Sequence, residues 1–443
     1  MYPIYVATLQ IRRKTLVQNR NVMPLRIAHV TASPNFGGVE RLILEIGRSF
    51  QRTKNAEQIF ASFPENGNAE PFLREVTIAG FTAYRFQNDT PHLIAATFEM
   101  IHMLKQHQIQ ILCAHGHKAR MLGWFAAKRL RIPIVGISHG WTGEDRKVKL
   151  YDRIDKWMHR RMNHIVCVSQ GQADKVIRYG TPADRVSVIY NAVRMERFDM
   201  PSNIAFRHDL EKVFPTKPKL IVGAAGRLSP EKGFDILITA AGQLLKGNHP
   251  AAVRHPSKGG ELRNSPPLER GHFAAQNAGV VSLRTGHQQE LRNMSDIGFV
   301  IFGDGVLREP LQKQIDELGI ASSVVLPGFT DQLDQYMHHF DLFVQSSHTE
   351  GMPSVLLEAM AARTAVVATQ VGGTGELVVE GSTGLIVPPN DPQALADAMR
   401  KMLSDDDLRR TMGENGRRRV EQSFSFEPQA EAYWNLFCRL LEK

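Results

Sequence analysis

Three short stretches hold the residue types that could work on a charged, hydroxyl-rich substrate. In SHTEGMPSVLLEAMAA (347–362), Glu350 and Glu358 stand eight positions apart, with Gly351, Met352, Pro353, Ser354 and Val355 between them. In GRLSPEKG (226–233), Arg227 and Lys232 stand five apart, and in ISHGW (137–141) His139 precedes a glycine. Carboxylates accept hydrogen bonds from ligand hydroxyls. A pair of cations neutralises a diphosphate, and Arg adds a planar fork of donors. Gly37-Gly38 lie just before a helix, where the backbone can approach a ligand closely and free amides favour an anion. Each group also has a plainer reading. A Glu at a helix start complements the dipole, loop Arg and Lys are common, a strand-end His can be structural, and Gly-Gly can simply turn the chain.

Elements that could position these residues alternate along the chain. LRIAHVTASPNFGGVERLILEIGRSF (25–50) reads as strand, glycine loop and helix, with Val39, Leu42, Ile43 and Ile46 at helical spacing. Further strands read at IQILCAH (109–115), IPIVGISH (132–139), HIVCVS (164–169) and RVSVIYNAV (185–193). KPKLIVGAAGRLSPEKGFDILITAAGQLL (217–245) restarts the pattern. GFVIFGDG (298–305), SVVLPGF (323–329), DLFVQSS (341–347), TAVVAT (364–369) and TGLIVPP (383–389) continue it. Strand alternating with helix predicts α/β architecture with parallel sheets, in which ligands bind beyond the carboxyl ends of strands. Every residue singled out above falls at such an end. Pro353 suits a first helical position, which puts Glu350 in the loop before that helix and Glu358 in its second turn.

The pattern divides into Rossmann-like domains over 23–205 and 206–425, followed by an amphipathic closing helix over 426–443. Residues 1–22 read as a disordered extension or a misassigned start. Residues 247–296, rich in Gly, Pro, Asn, His and Arg, read as a disordered surface insertion. The histidines of that insertion lack ligand spacing.

Composition narrows the function classes. The chain is 42% hydrophobic and 22% charged, a globular composition, and 443 residues exceed what one core usually organises. A formal charge of +9 favours anionic partners such as nucleotides, phosphates or an acidic membrane surface. Nucleic acid is disfavoured, because no basic stretch is interleaved with aromatics. Three cysteines, Cys113, Cys167 and Cys438, make neither a disulfide framework nor a zinc site, and they fit a reducing cytosol. No apolar run is long enough to span a bilayer. The D-x-D in SDDDLRR (404–410) is a motif of metal-dependent transferases, but it precedes a polar helix and reads as a cap. His338-His339, and His115 with His117, read as ordinary polar positions. The nicotinamide fingerprint, the Walker loop and the G-x-S-x-G elbow are absent.

The ordered set of motifs carries a resemblance. HTEGMPSVLLEAMAARTAVVATQVGGTGELV is similar to the E-x7-E segment of retaining glycosyltransferase family 4. GGVERLI, VIYNAVRMERF, AAGRLSPEKGFDILI, IFGDGVLREPL and VVLPGF resemble that family in the same order. The resemblance runs from about Leu25 to Lys443, broken by the insertion. It implies a GT-B fold, with two parallel sheets facing a central cleft, and a nucleotide-sugar donor. Arg227 and Lys232 would hold the donor diphosphate, Glu358 the ribose, and Glu350 a hydroxyl of the donor sugar. Backbone amides of Gly351, Met352, Pro353, Ser354 and Val355 are implied at the sugar and phosphate (Pro353 itself has no N–H), and His139 beside the reacting carbon. Gly37-Gly38 would meet the diphosphate from the other domain, and Gly303-Asp304-Gly305 with Gly328-Phe329 would flank the base. The resemblance implies no metal or other cofactor. It also implies a saccharide or lipid-linked acceptor, polysaccharide or lipopolysaccharide biosynthesis, and a cytoplasmic place with peripheral contact at the inner membrane face. A GT-B nucleotide-sugar epimerase and a non-catalytic nucleotide-sugar-binding protein stand as alternatives.

Overall fold

The computed structural model describes residues 24–33, 36–64, 67–139, 153, 156–199, 203–246 and 296–442. The readings made for 1–22 and for 247–295 lie outside these residues. Seven strands form the first sheet: β1 (Leu25–Ala32), β2 (Ala56–Phe63), β3 (Thr82–Arg85), β4 (Ile111–His115), β5 (Ile134–Ser138), β6 (His164–Cys167) and β7 (Val186–Val188). Six form the second: β8 (Leu220–Ala225), β9 (Ile297–Phe302), β10 (Val324–Gly328), β11 (Leu342–Gln345), β12 (Val366–Thr369) and β13 (Leu385–Val387). The orders are β3-β2-β1-β4-β5-β6-β7 and β10-β9-β8-β11-β12-β13. All paired strands are parallel. Their near-continuous apolar runs (ILCAH, IVGIS and LFVQ are buried throughout) follow from burial on both faces.

Two strands escaped the sequence reading, β2 and β3. AEQIFASF opens with Glu57 and Gln58, which breaks its apolar run, while β3 is four residues long and largely exposed.

In both sheets the chain order reverses beside the first strand, between β1 and β4 and between β8 and β11. A crevice opens at such a switch point. One face of the first sheet is covered by the helices Leu93–Gln106 and His117–Leu130, with Met158 and Met162. On the other face the helix Gly38–Thr53 is joined by the chain's last helix, Phe426–Leu441. Phe426, Tyr433, Leu436 and Phe437 of that helix pack on Ile111, Cys113, Val135, Ile137 and Val166. Thus the end of the chain crosses back from the second domain to complete the first domain's core. Each fully buried Phe or Leu there contributes about 1.5–3 kcal/mol.

Candidate functional site

The loops after β8 and β11 are drawn together by hydrogen bonds. Pro230–Lys232 makes one turn of 3-10 helix, and His348 N–H donates to the Glu231 carbonyl at 2.9 Å. Ser346 Oγ donates to the Lys232 carbonyl at 3.1 Å. At the centre, Lys232 Nζ donates to Glu350 Oε1 at 2.6 Å, and Ser347 Oγ donates to the same oxygen at 2.7 Å. Lys232 and Glu350, 118 positions apart, therefore form an ion pair whose carboxylate is 10% exposed. Arg227 lies exposed in the same loop, and its guanidinium has no ion pair among the described residues. Among the described residues this one strand-end loop thus carries a paired ammonium and an exposed guanidinium.

The third loop of this domain is tied to the first. Leu228 N–H donates to the Asp304 carbonyl at 2.9 Å, and Gly303 N–H donates to the Gly328 carbonyl at 2.9 Å. Asp304 Oδ1 accepts from Gly305 N–H at 2.8 Å, so that acid serves its own turn. Phe329 (72% exposed) and Val306 (83% exposed) stand open beside these glycines. They offer an apolar surface for a planar ring.

The helix after Glu350 runs from Ser354 to Ala361, with Pro353 as its N-cap rather than its first residue. Pro353 has an extended ψ of 106°, so the helix begins one position later than the proline suggests. Met352 is buried and the Val355 side chain packs on the same core, so only their backbones can meet a ligand. Glu358, in the second turn, is recessed. Loss of water around its carboxyl raises its pKa, against the pull of Arg197 and Arg41.

The other domain closes on this helix start. A Cβ on Gly351 would lie 1.9 Å from the carbonyl oxygen of His139, so only glycine permits the approach. A Cβ on Gly38 would lie 3.4 Å from Ser354 Oγ. The first residues of two helices thus face one another across the cleft, each with unpaired amides and the positive end of its dipole. Gly37 N–H donates to Glu40 Oε2 at 3.0 Å.

His139 follows β5 directly and stacks on His115 (centroids 6.0 Å apart), which stacks on His29 (5.8 Å), which stacks on Phe60 (4.9 Å). Among the described residues, both ring nitrogens of His115, Nδ1 of His29 and Nε2 of His139 have no hydrogen-bond partner. Burial lowers the pKa of His29 and of His139 to about 4 and drives that of His115 well below the ordinary range. All three rings are neutral at neutral pH.

Two cross-domain contacts had no sequence signal. Asn191 Nδ2 donates to the Met352 carbonyl at 3.0 Å. Glu376 accepts from the amides of Gln170 and Gly171 at 2.7 and 3.1 Å. Their partners lie 161 to 206 positions away, beyond any local periodicity. Asp405 of the D-x-D caps the helix Asp406–Ser423, accepting from Leu408 N–H at 2.8 Å.

The model of Glycosyltransferase Family 4 matches residues 36–197, and that of Glycosyl transferases group 1 matches residues 287–419. An Escherichia coli protein, UDP-Gal:alpha-D-GlcNAc-diphosphoundecaprenol alpha-1,3-galactosyltransferase, is 24% identical over 94% of this chain and 97% of its own. The D-inositol 3-phosphate glycosyltransferase of Corynebacterium jeikeium is 26% identical over 91% of this chain and 92% of its own. Among solved structures, Anabaena HepE in complex with UDP and glucose superposes with a TM-score of 0.73. It is 20% identical and covers 94% of this chain and 100% of its own, a likeness of fold.

Proposed function

Since the chain is a glycosyltransferase of GT-B fold, we propose that it moves a sugar from a UDP-linked donor to a lipid-linked saccharide in polysaccharide or lipopolysaccharide biosynthesis. The observation that carries this reading is the convergence of Arg227, the Lys232–Glu350 pair and two facing helix starts on one crevice. Such a site suits an elongated ligand with a diphosphate in its middle. The E. coli relative's action on a diphosphoundecaprenol-linked sugar supports the acceptor class, and the UDP bound by HepE supports the base.

In this reading Arg227, Lys232 and the amides of Ser354 and Val355 receive the negative charge that grows on the departing diphosphate. Glu350 accepts from a donor-sugar hydroxyl, Glu358 from the ribose, and the neutral ring of His139 lies against the sugar. Phe329 stacks on the base. Retention of the anomeric centre follows if the donor's own phosphate oxygen takes the acceptor proton. Two protein cations do the work of a metal, so turnover in EDTA is expected to match that without it. Screening UDP-, GDP- and ADP-sugars by thermal shift tests the donor, since a bound ligand raises Tm by mass action. NMR of the product tests retention, and an inverted centre would refute it. Donor converted without acceptor would instead favour the epimerase. Donor bound but never cleaved would favour a binding protein.

Peripheral membrane contact belongs to the same reading. Among the described residues no helix is long and apolar enough to cross a membrane. On the outward side of one helical layer, Ile94, Phe98, Phe125 and Trp157 are exposed. Lys128 lies over the Trp124 ring and Arg161 over Trp157. The helix His117–Leu130 carries no acid. Apolar anchors among cations match an anionic bilayer at the cytoplasmic face. Co-sedimentation with phosphatidylglycerol vesicles but not phosphatidylcholine ones is expected, and Phe98→Ser with Phe125→Ser should weaken it. Equal binding by that variant would refute the surface.

A further inference from the structure

We propose that Glu376 is a positioning residue: its carboxylate latches the two domains together and, through the turn 371–377, sets the loop that carries Glu350. The inference rests on the transferase reading for its kinetics but has a readout of its own.

Glu376 belongs to the second domain, in the short helix Thr374–Leu377, yet both carboxylate oxygens are spent on the first domain. Oε2 accepts from Gln170 N–H at 2.7 Å and Oε1 from Gly171 N–H at 3.1 Å, the opening amides of the helix Gln170–Arg178. Those amides have no intrahelical acceptors, and a carboxylate at that end also meets the favourable end of the dipole. The Tyr190 hydroxyl, hydrogen-bonded to the same carboxylate, has its pKa raised by burial and by that negative charge.

The turn behind Glu376 bears directly on the site. Gly373 N–H donates to the Gly351 carbonyl at 2.8 Å. Gly372 has φ +51°, and a Cβ there would lie 1.9 Å from the carbonyl oxygen of Glu350. The turn's far side is clamped by Arg419, which donates to the carbonyls of Leu377 and Glu376 at 2.7 and 2.6 Å. A rigid turn therefore has one end against the Glu350–Gly351 backbone and the other on the opposite domain. Gly351 is also the residue that touches His139. When the latch holds, Glu350, Lys232 and His139 share one geometry; when it releases, the cleft and the loop loosen together.

Two variants isolate the contact. Glu376→Ala removes the acceptor. Gln170→Pro removes one donor: residue 170 is the first helical position, where proline is accepted. Ser169 before it is already extended (φ −153°, ψ 158°), as a residue preceding proline must be. Gln170→Pro is expected to lower kcat about tenfold, the effect of losing one charge-assisted hydrogen bond, and Glu376→Ala, which also releases Gly171 and Tyr190, by more. Donor KM should move far less, and far-UV circular dichroism should be unchanged. The double variant should be no slower than Glu376→Ala alone, since the bond that Gln170→Pro removes is already lost in it. Glu376→Gln, which keeps an oxygen acceptor, should fall between. Small-angle scattering of the ligand-free chain supplies the independent readout, with a larger radius of gyration in both variants. Should wild type turn over no nucleotide sugar, the transferase reading falls while scattering still decides the latch. Unchanged scattering overturns the latch, and unchanged kcat in an active enzyme overturns the positioning role.

Discussion

The two walls of the cleft are held in different ways. On the second domain's side, loops after β8, β9 and β11 are stitched by backbone and charged hydrogen bonds, from Leu228–Asp304 to Lys232–Glu350. On the first domain's side, three imidazoles stand in a row with four ring nitrogens that have no partner among the described residues. Satisfied polar groups fix a geometry, whereas unpaired buried ones are costly and persist where something else requires them. The contrast teaches that the second domain's wall is preformed, with its charged groups held in place by their neighbours. The facing side is a buried row of neutral rings beside the buried Arg120 guanidinium, whose charge helps to keep His115 and His139 unprotonated.

Breaking the stitched wall should have the largest effect. Lys232→Ala removes the cation proposed to meet the phosphate and leaves the recessed Glu350 with Ser347 alone. Turnover should fall by about 10²–10³, the range for losing one preorganised donor, with circular dichroism unchanged. Glu350→Gln should cost less, because the amide oxygen can still accept from Lys232. Near-normal rates in both would remove these residues from the reaction.

The histidine wall should yield to acid instead. His29 in the folded chain has a pKa of about 4, against about 6.5 when unfolded. Between those values the unfolded chain binds a proton that the folded chain refuses, so stability falls as pH drops from 6.5 towards 4. The loss is about 1.4 kcal/mol per pH unit for each such histidine. His139, held at the same value, and His115, held lower, add to the slope. Above pH 6.5 none of them contributes. Urea denaturation across pH 5–7 measures this, and His29→Phe, which keeps the stack, should flatten the slope by about one proton. An unchanged slope would show that the row is not the acid-sensitive part.

The contrast also explains what could be read in advance. Strands β8 and β11 are apolar runs followed by glycine, Arg, Lys and Glu, so a strand-end rule brings these loops together from the chain alone. The family matches and the neighbours bear out the GT-B reading. The Lys232–Glu350 pair was not legible, because resemblance gave each residue a separate partner on the donor. The histidine row was invisible for another reason. His29, His115 and His139 come from three strands, β4 lying between β1 and β5, and only the sheet order makes them neighbours. Asn191 and Glu376 were missed because a contact between domains leaves no periodic mark on either.

A milder cut tests whether the walls must meet. Asn191→Ala removes the bond to the Met352 carbonyl, the residue between Gly351 and the helix start. A lost buried hydrogen bond costs about 1–3 kcal/mol, so Tm should fall by several degrees. Because Gly351 remains against His139, kcat should fall less than in Lys232→Ala. A larger kinetic loss than that would mean that domain contact outweighs the stitched wall.

The smallest effect should come from acids that lie off the cleft. Asp405, Asp406 and Asp407 spell a metal-binding motif, yet Asp405 accepts from Leu408 N–H, and Asp406 and Asp407 pair with Arg409 and Arg410. Asp405→Ala should cost about 1 kcal/mol as a lost N-cap, and Asp405→Asn almost nothing, since Asn caps equally well. Turnover per folded molecule should be the same in both, with or without added Mg²⁺ or Mn²⁺. Metal-dependent loss in either variant would give those carboxylates a chemical role. Glu350 carries more weight than Asp405 for a positional reason: it follows a strand at the switch point with a lysine and a facing domain against it, whereas Asp405 has only its own helix to serve.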